Sequence, residues 1–158
     1  MVSHMKKLVS ALAVLSALCA PAIAGVSVSA PWVRATVPVQ KSSGAFMRLQ
    51  SSADARLVGV SSPVADQVEL HQMDMKDGMM KMQQVDAIDL PAGKGVNLAS
   101  GGYHVMLVGL KHQLKAGEVV DLRLQIEHPG KKRETIVVKA PVKPINFSAP
   151  EAEMPAHH

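Results

Sequence analysis

Between Gly25 and Val142 no apolar pattern repeats at helical spacing; instead, short strand-like runs are cut off by turn residues every 8–12 residues or about that. Val26-Ser27-Val28-Ser29 alternates apolar and polar before Pro31, and a second extended piece, 32–37, ends at Pro38. Residues 40–44 read as a polar loop, 45–49 as a strand, and 56–60 as another closed by Ser61-Ser62-Pro63. The runs 68–75 and 79–85 flank Lys76-Asp77-Gly78, and Asp-Gly between such runs predicts a hairpin because both turn positions tolerate positive φ. Ile88-Asp89-Leu90 stops at Pro91, 96–98 is short, and Gly101-Gly102 leads into Tyr103–Leu110. Lys115-Ala116-Gly117 precedes 119–127, and Pro129-Gly130 starts a last hairpin ending in 133–142. Strands this short and this evenly spaced predict an all-β antiparallel sandwich or barrel.

The ends read differently. Lys6-Lys7, an apolar run from Leu8 to Leu18 and Ala22-Ile23-Ala24 have the layout of a secretory signal with a small-x-small cleavage site. The run of about a dozen residues is shorter than the roughly 20 a bilayer span needs, so no stable membrane insertion is expected. The lone cysteine, Cys19, falls inside it, and Leu18 is bulky where a lipidated cysteine wants a small neighbour. Met1 to His4 precedes the more natural start at Met5. The expected organisation is a cleaved signal over 1–24, one domain over 25–143, and a disordered tail over 144–158 holding Met154, His157 and His158.

Cleavage after Ala24 leaves 15 basic against 13 acidic residues, a net charge of +2. That is no nucleic-acid footprint. With no thiol left, disulfides, thiolate metal sites and cysteine catalysis are excluded. No nucleophile elbow, paired carboxylates or phosphate-cradling glycine loop marks an enzyme. With only Trp32, Tyr103, Phe46 and Phe147 as aromatics, the core must come from Val, Leu, Ile and Met.

What remains is the chemistry between His71 and Met106. Met73, Met75, Met79, Met80 and Met82 fall within ten residues, and His104-Val105-Met106 follows. Imidazole and thioether are soft, neutral donors that favour Cu(I). Side chains two apart on a strand share a face, so His104 and Met106 make a two-ligand platform. His71 and Met82, on either side of the Asp77-Gly78 turn, can complete it with one nitrogen and one sulfur. Thioethers form no disulfides and suit an oxidising compartment. Two of them argue against Zn²⁺ or Ni²⁺, and without a cysteine no blue copper centre can be built. Histidines must be neutral to bind, so affinity should fall as pH drops through about 6.5. Met73, Met75, Met79 and Met80 fit either core filling or an exposed lip. His112 and His128 beside turn residues read as solvated, Trp32 as a core aromatic, and Arg34 as a charge tying down a loop.

The spacing His-(ten)-Met-(twenty-one)-His-x-Met, met by His71, Met82, His104 and Met106, resembles the signature of the periplasmic copper(I) chaperones of the PCuAC type. Pro31-Trp32-Val33-Arg34, Val68-Glu69-Leu70-His71, Leu90-Pro91-Ala92-Gly93 and Gly102-Tyr103-His104-Val105-Met106-Leu107 are similar to that family too. The resemblance implies a monomeric cupredoxin-like Greek-key β-sandwich holding one Cu(I) in the periplasm. Its implied partners are Sco-type copper and thiol proteins or cytochrome c oxidase subunit II, whose CuA site such chaperones help to assemble. A weak second site for Cu(II) in the His157-His158 tail is also implied. The same ligands would serve a copper-sequestering or resistance protein, which exchange kinetics would separate from a carrier.

Overall fold

The computed structural model describes residues 25–99 and 102–150. The expected signal with Cys19, and Met154, His157 and His158 of the tail, lie outside the described residues. Ten strands make up the fold: β1 Val26–Arg34, β2 Ser42–Ser51, β3 Ala55–Ser61, β4 Ala65–Lys76, β5 Met79–Gln84, β6 Ile88–Leu90, β7 Gly95–Leu98, β8 Tyr103–Leu110, β9 Val119–His128 and β10 Lys132–Lys143. Among the described residues there is no helix.

The strands hydrogen-bond in the order β5-β4-β8-β7-β2-β1-β10-β9-β3-β6, with β8 also pairing with β2. One layer runs from β5 to β1 and the other from β10 to β6. They join where β1 and β10 run parallel, Val33 against Val142 and Arg34 against Lys143. Alternation decides what each layer buries. On β9, Val120, Leu122, Leu124 and Ile126 are buried while Asp121, Arg123, Gln125 and Glu127 lie between them. On β8 and β4 the inward set is Val105, Leu107 and Leu70, part of one apolar cluster with the β9 residues. His104 and Met106, with the opposite parity on β8, therefore face away from that cluster.

Several boundaries differ from those the sequence predicts. β1 is one strand, not two: Ala30 adopts φ +48 beside Pro31, and the register with β2 shifts between Ser29 and Trp32, so a bulge absorbs the break. β2 begins at Ser42, inside the expected polar loop. Ser43 is buried there and its hydroxyl donates to the Arg34 carbonyl at 2.6 Å. The Asp77-Gly78 turn forms as expected, with φ of +53 and +74 and Lys76 paired to Met79. The contiguous apolar cluster is Val, Leu, Ile and Ala with Met47, the only buried methionine among the described residues, and Trp32 and Phe46 are buried beside it. Trp32 stacks on Phe46 at 4.4 Å and meets Phe147 edge-on at 4.9 Å. Arg34 lies over both stacked rings and donates to the carbonyls of Ile145 and Phe147, so it ties down the chain leaving β10.

Candidate metal centre

β8 pairs with β4, and the register sets His104 directly opposite His71 and Met106 opposite Glu69. β5 pairs with the other edge of β4, setting Met82 opposite Met73 and Gln84 opposite His71. Directly opposed residues of antiparallel strands share a face, as do residues two apart. His71, Met82, His104 and Met106 consequently occupy one face, turned away from the core. The histidines form the central rung. Met82 belongs to the next rung toward the hairpin turn, and Met106 to the next rung away from it.

The imidazoles lie 5.7 Å apart between centroids at 53° to one another. Each has one nitrogen committed. His71 Nε2 lies 2.8 Å from Glu69 Oε2, and because the carboxylate accepts, a neutral ring leaves Nδ1 with its lone pair. That Nδ1 is buried and has no partner. His104 Nδ1 lies 3.4 Å from the Gly102 carbonyl, a long contact that favours the tautomer with Nε2 free. One nitrogen held by an acceptor and the other left open is how histidines are oriented for metals. The donors present are of the kind a soft cation takes, and His71 Nδ1 and His104 Nε2 are the two ring nitrogens left uncommitted. Buried polar groups normally find partners, which makes the orphaned Nδ1 the most informative atom of the face.

The two histidines are not equally wet. His104 is 5% exposed, although it lies on the outer face. Burial pushes its pKa below the usual 6.5, the Gly102 carbonyl works the other way, and His71 adds to the lowering. Met82 is 49% exposed and Met106 is partly buried, so one thioether stands open to solvent while the other is sheltered. Gly44 pairs with Met106, and a Cβ there would lie 2.6 Å from Phe46 Cζ; without one, the Phe46 ring can lie beside the Met106 rung.

Among the described residues no group of three His, Cys, Asp or Glu is placed to hold a metal. His112 is exposed, as expected, and contacts the Gln113 carbonyl through Nδ1 at 2.9 Å. His128 is not solvated: its side chain is 14% exposed and bonds Glu134 at 2.7 Å, because pairing of β9 with β10 brings the two together. Glu69 and Gly102, the acceptors beside the two histidines, are neighbours that the ligand pattern alone leaves out. Glu69 could have been found by parity, two residues before His71 on the same strand face.

A family model described as "Putative lipoprotein LpqE-like" matches residues 26–142. The chain is similar to "Putative lipoprotein Lxx21020" of Leifsonia xyli subsp. xyli (strain CTCB07), 34% identical over 120 residues that make up 75% of this chain and 70% of that protein. It is also similar to the copper-bound PCuAC domain from PmoF2, with 26% identity, a TM-score of 0.61, and coverage of 75% of this chain and 92% of that one. DR1885 of Deinococcus radiodurans is a further structural neighbour. Its apo form gives 31% identity, a TM-score of 0.56 and coverage of 91% and 94%. Its Cu(I) form gives 32%, 0.52, and coverage of 82% and 83%. The architecture shared with these domains is the all-β, cupredoxin-like one expected from the sequence.

Proposed function

The chain belongs to the LpqE-like family, and from that premise we propose that it is an exported copper chaperone, a binding protein and not an enzyme. One Cu(I) is its cargo, held by His71, Met82, His104 and Met106. The observation that carries this reading is the opposed His71–His104 pair, each ring with one nitrogen committed, flanked on the same face by two thioethers. Four neutral donors match a soft monovalent ion and add no charge of their own, while the Glu69 carboxylate sits behind His71.

Exposure of Met82 favours a carrier over a sink. A ligand half open to solvent can be displaced by an incoming thiolate or thioether of a partner while the buried His104 holds on. Recipients of the kind implied by family resemblance, Sco-type proteins or the CuA-bearing oxidase subunit, offer such donors. The periplasm is the compartment proposed, from the signal-like 1–24 and the exported character of the family. Because the family is described as lipoproteins, intact mass is the check on processing: a mature chain starting at Gly25 is expected, and a diacylated Cys19 would place it on a membrane surface instead.

The experiment is a Cu(I) competition titration against a chromophoric chelator, with Met82→Leu and Met106→Leu alongside. One tight equivalent lost in both variants is expected. A titration that both variants leave unchanged would remove these four residues as the site.

A further inference from the structure

Five methionines in the hairpin exceed what the His71–His104 pair can use, and their placement is not that of core filler. Met75, Met79, Met80 and Met82 are 63, 64, 51 and 49% exposed. The pairing of β4 with β8 ends at Gln72 and Tyr103, apart from the Met73 amide donating to the Gly102 carbonyl at 3.0 Å. Beyond that point β4 and β5 run on as a two-stranded ribbon with no third strand among the described residues. Such ribbons gain little from burial and are marginal alone, so exposed apolar side chains there call for another use.

The register shows a division between the ribbon's faces. Met73 opposes Met82 and Met75 opposes Met80, and by parity both rungs share the face of His71 and His104. On the reverse face Asp74 opposes Lys81 and Lys76 opposes Met79. Four thioethers thus stack on one side in two facing pairs, and the charges and the fifth methionine go to the other. Facing Cβ atoms of antiparallel strands lie about 4.5–5.5 Å apart, within reach of a shared ion for side chains as long as methionine. Successive same-face rungs are about 7 Å apart, so an ion at the Met75–Met80 rung cannot also be bound by the histidines two rungs below.

We propose that Met73, Met75 and Met80 form a second, thioether-only site for a soft monovalent cation, Cu(I) or its redox-inert analogue Ag(I), at the tip of this hairpin. Thioethers are neutral and do not titrate, so capture here releases no proton. From the tip the ion descends by ligand exchange, one sulfur replacing another, with Met82 common to the ladder and to the histidine site. The copper stays Cu(I) throughout and no electron moves. The tip site stands independently of the copper reading given to the histidines; only the descent rests on it.

The test uses the full chain labelled with ¹³C at methionine methyls, titrated with Ag(I), in wild type and in a His71→Ala/His104→Ala variant. In the variant, Met73, Met75 and Met80 methyl resonances are expected to shift and saturate. Adding Met75→Leu/Met80→Leu in that background should abolish the response, and because both positions are exposed the leucines leave the fold intact. Met75 and Met80 methyls that stay unmoved in both backgrounds overturn the tip site. An unmoved Met106 methyl in wild type, with the Met75 and Met80 shifts intact, would instead overturn the histidine site alone. For the descent, Met75→Leu/Met80→Leu should slow the arrival of chelator-delivered Cu(I) at the histidines at unchanged final affinity; equal rates would overturn it.

Discussion

His71 on β4 and His128 at the end of β9 present the same local chemistry in different company. Each holds a glutamate through Nε2, at 2.8 and 2.7 Å, and their side chains are 15 and 14% exposed. Each leaves Nδ1 buried without a partner. His71 faces a second, buried imidazole and has thioethers on the flanking rungs. His128 lines a cleft with Asp54, Arg56, Glu127 and Lys131, where Glu127 is paired with both Arg56 and Arg133. A histidine–carboxylate pair is therefore not in itself a soft-metal site. In the proposed reading the neighbours decide: neutral, polarisable donors on one face suit Cu(I), while beside His128 the charges of Arg56, Glu127 and Arg133 pair with one another.

The largest effect should come from removing the partner that His128 lacks. His104→Ala is expected to lower Cu(I) affinity by more than about 100-fold, beyond the 10–100-fold typical of outer-shell changes. His128→Ala should leave the same titration unchanged. Equal losses in the two variants would erase the distinction between the sites. Next comes the carboxylate itself. Glu69→Gln should weaken Cu(I) binding by about 10-fold or somewhat more, because the Glu69 carboxylate holds His71 Nε2 and so fixes the ring's tautomer and orientation. Glu134→Gln at the matching position of the other site should not register.

The elements were more legible than their assembly. Alternation and turn chemistry gave Ile88–Leu90 and Tyr103–Leu110 with their observed bounds, and the two positive φ values of Asp77-Gly78 were readable from residue type alone. The start of β2 was not, because Ser42, Ser43 and Gly44 are poor strand formers. Tertiary demands hold them in the sheet: the Ser43 hydroxyl bonds Arg34, and Gly44 leaves room for the Phe46 ring. Spacing picked out His71, Met82, His104 and Met106, and parity explained why His104 and Met106 go together. That His71 would stand opposite His104 depends on β4 pairing with β8, strands far apart in sequence, and no local pattern encodes that register. For the hairpin methionines the sequence left core filling and an exposed lip both open, and the choice follows from β8 ending before the ribbon does.

Acid sharpens the comparison further. The sequence led to an affinity falling through about pH 6.5, the ordinary histidine value. Burial holds His104 below that, so its share of the competition between proton and copper should begin at lower pH. The same shift bears on apo stability. With the folded-state pKa depressed, the unfolded chain takes up a proton first as pH falls below 6.5, so stability declines from there down to the folded value. Thermal melts of the apo protein between pH 7.5 and 5 should show that decline, and His104→Gln should flatten it. An unchanged slope would mean that the environment of His104 is not what sets it.

The smallest effect lies at His128. Glu134 is 46% exposed, and a pair this open to water is worth no more than about 1 kcal/mol, since solvent screens it and ordering two side chains costs entropy. Glu134→Gln should then shift the urea midpoint only slightly, whereas His128→Ala should cost more, because it also removes packing from a largely buried ring. If Glu134→Gln proved as damaging as His128→Ala, the glutamate would be holding His128 in place as firmly as Glu69 is expected to hold His71. The buried Nδ1 of His128 would then be as pre-oriented as that of His71, and what separates the two sites would rest entirely on the second histidine and the thioethers.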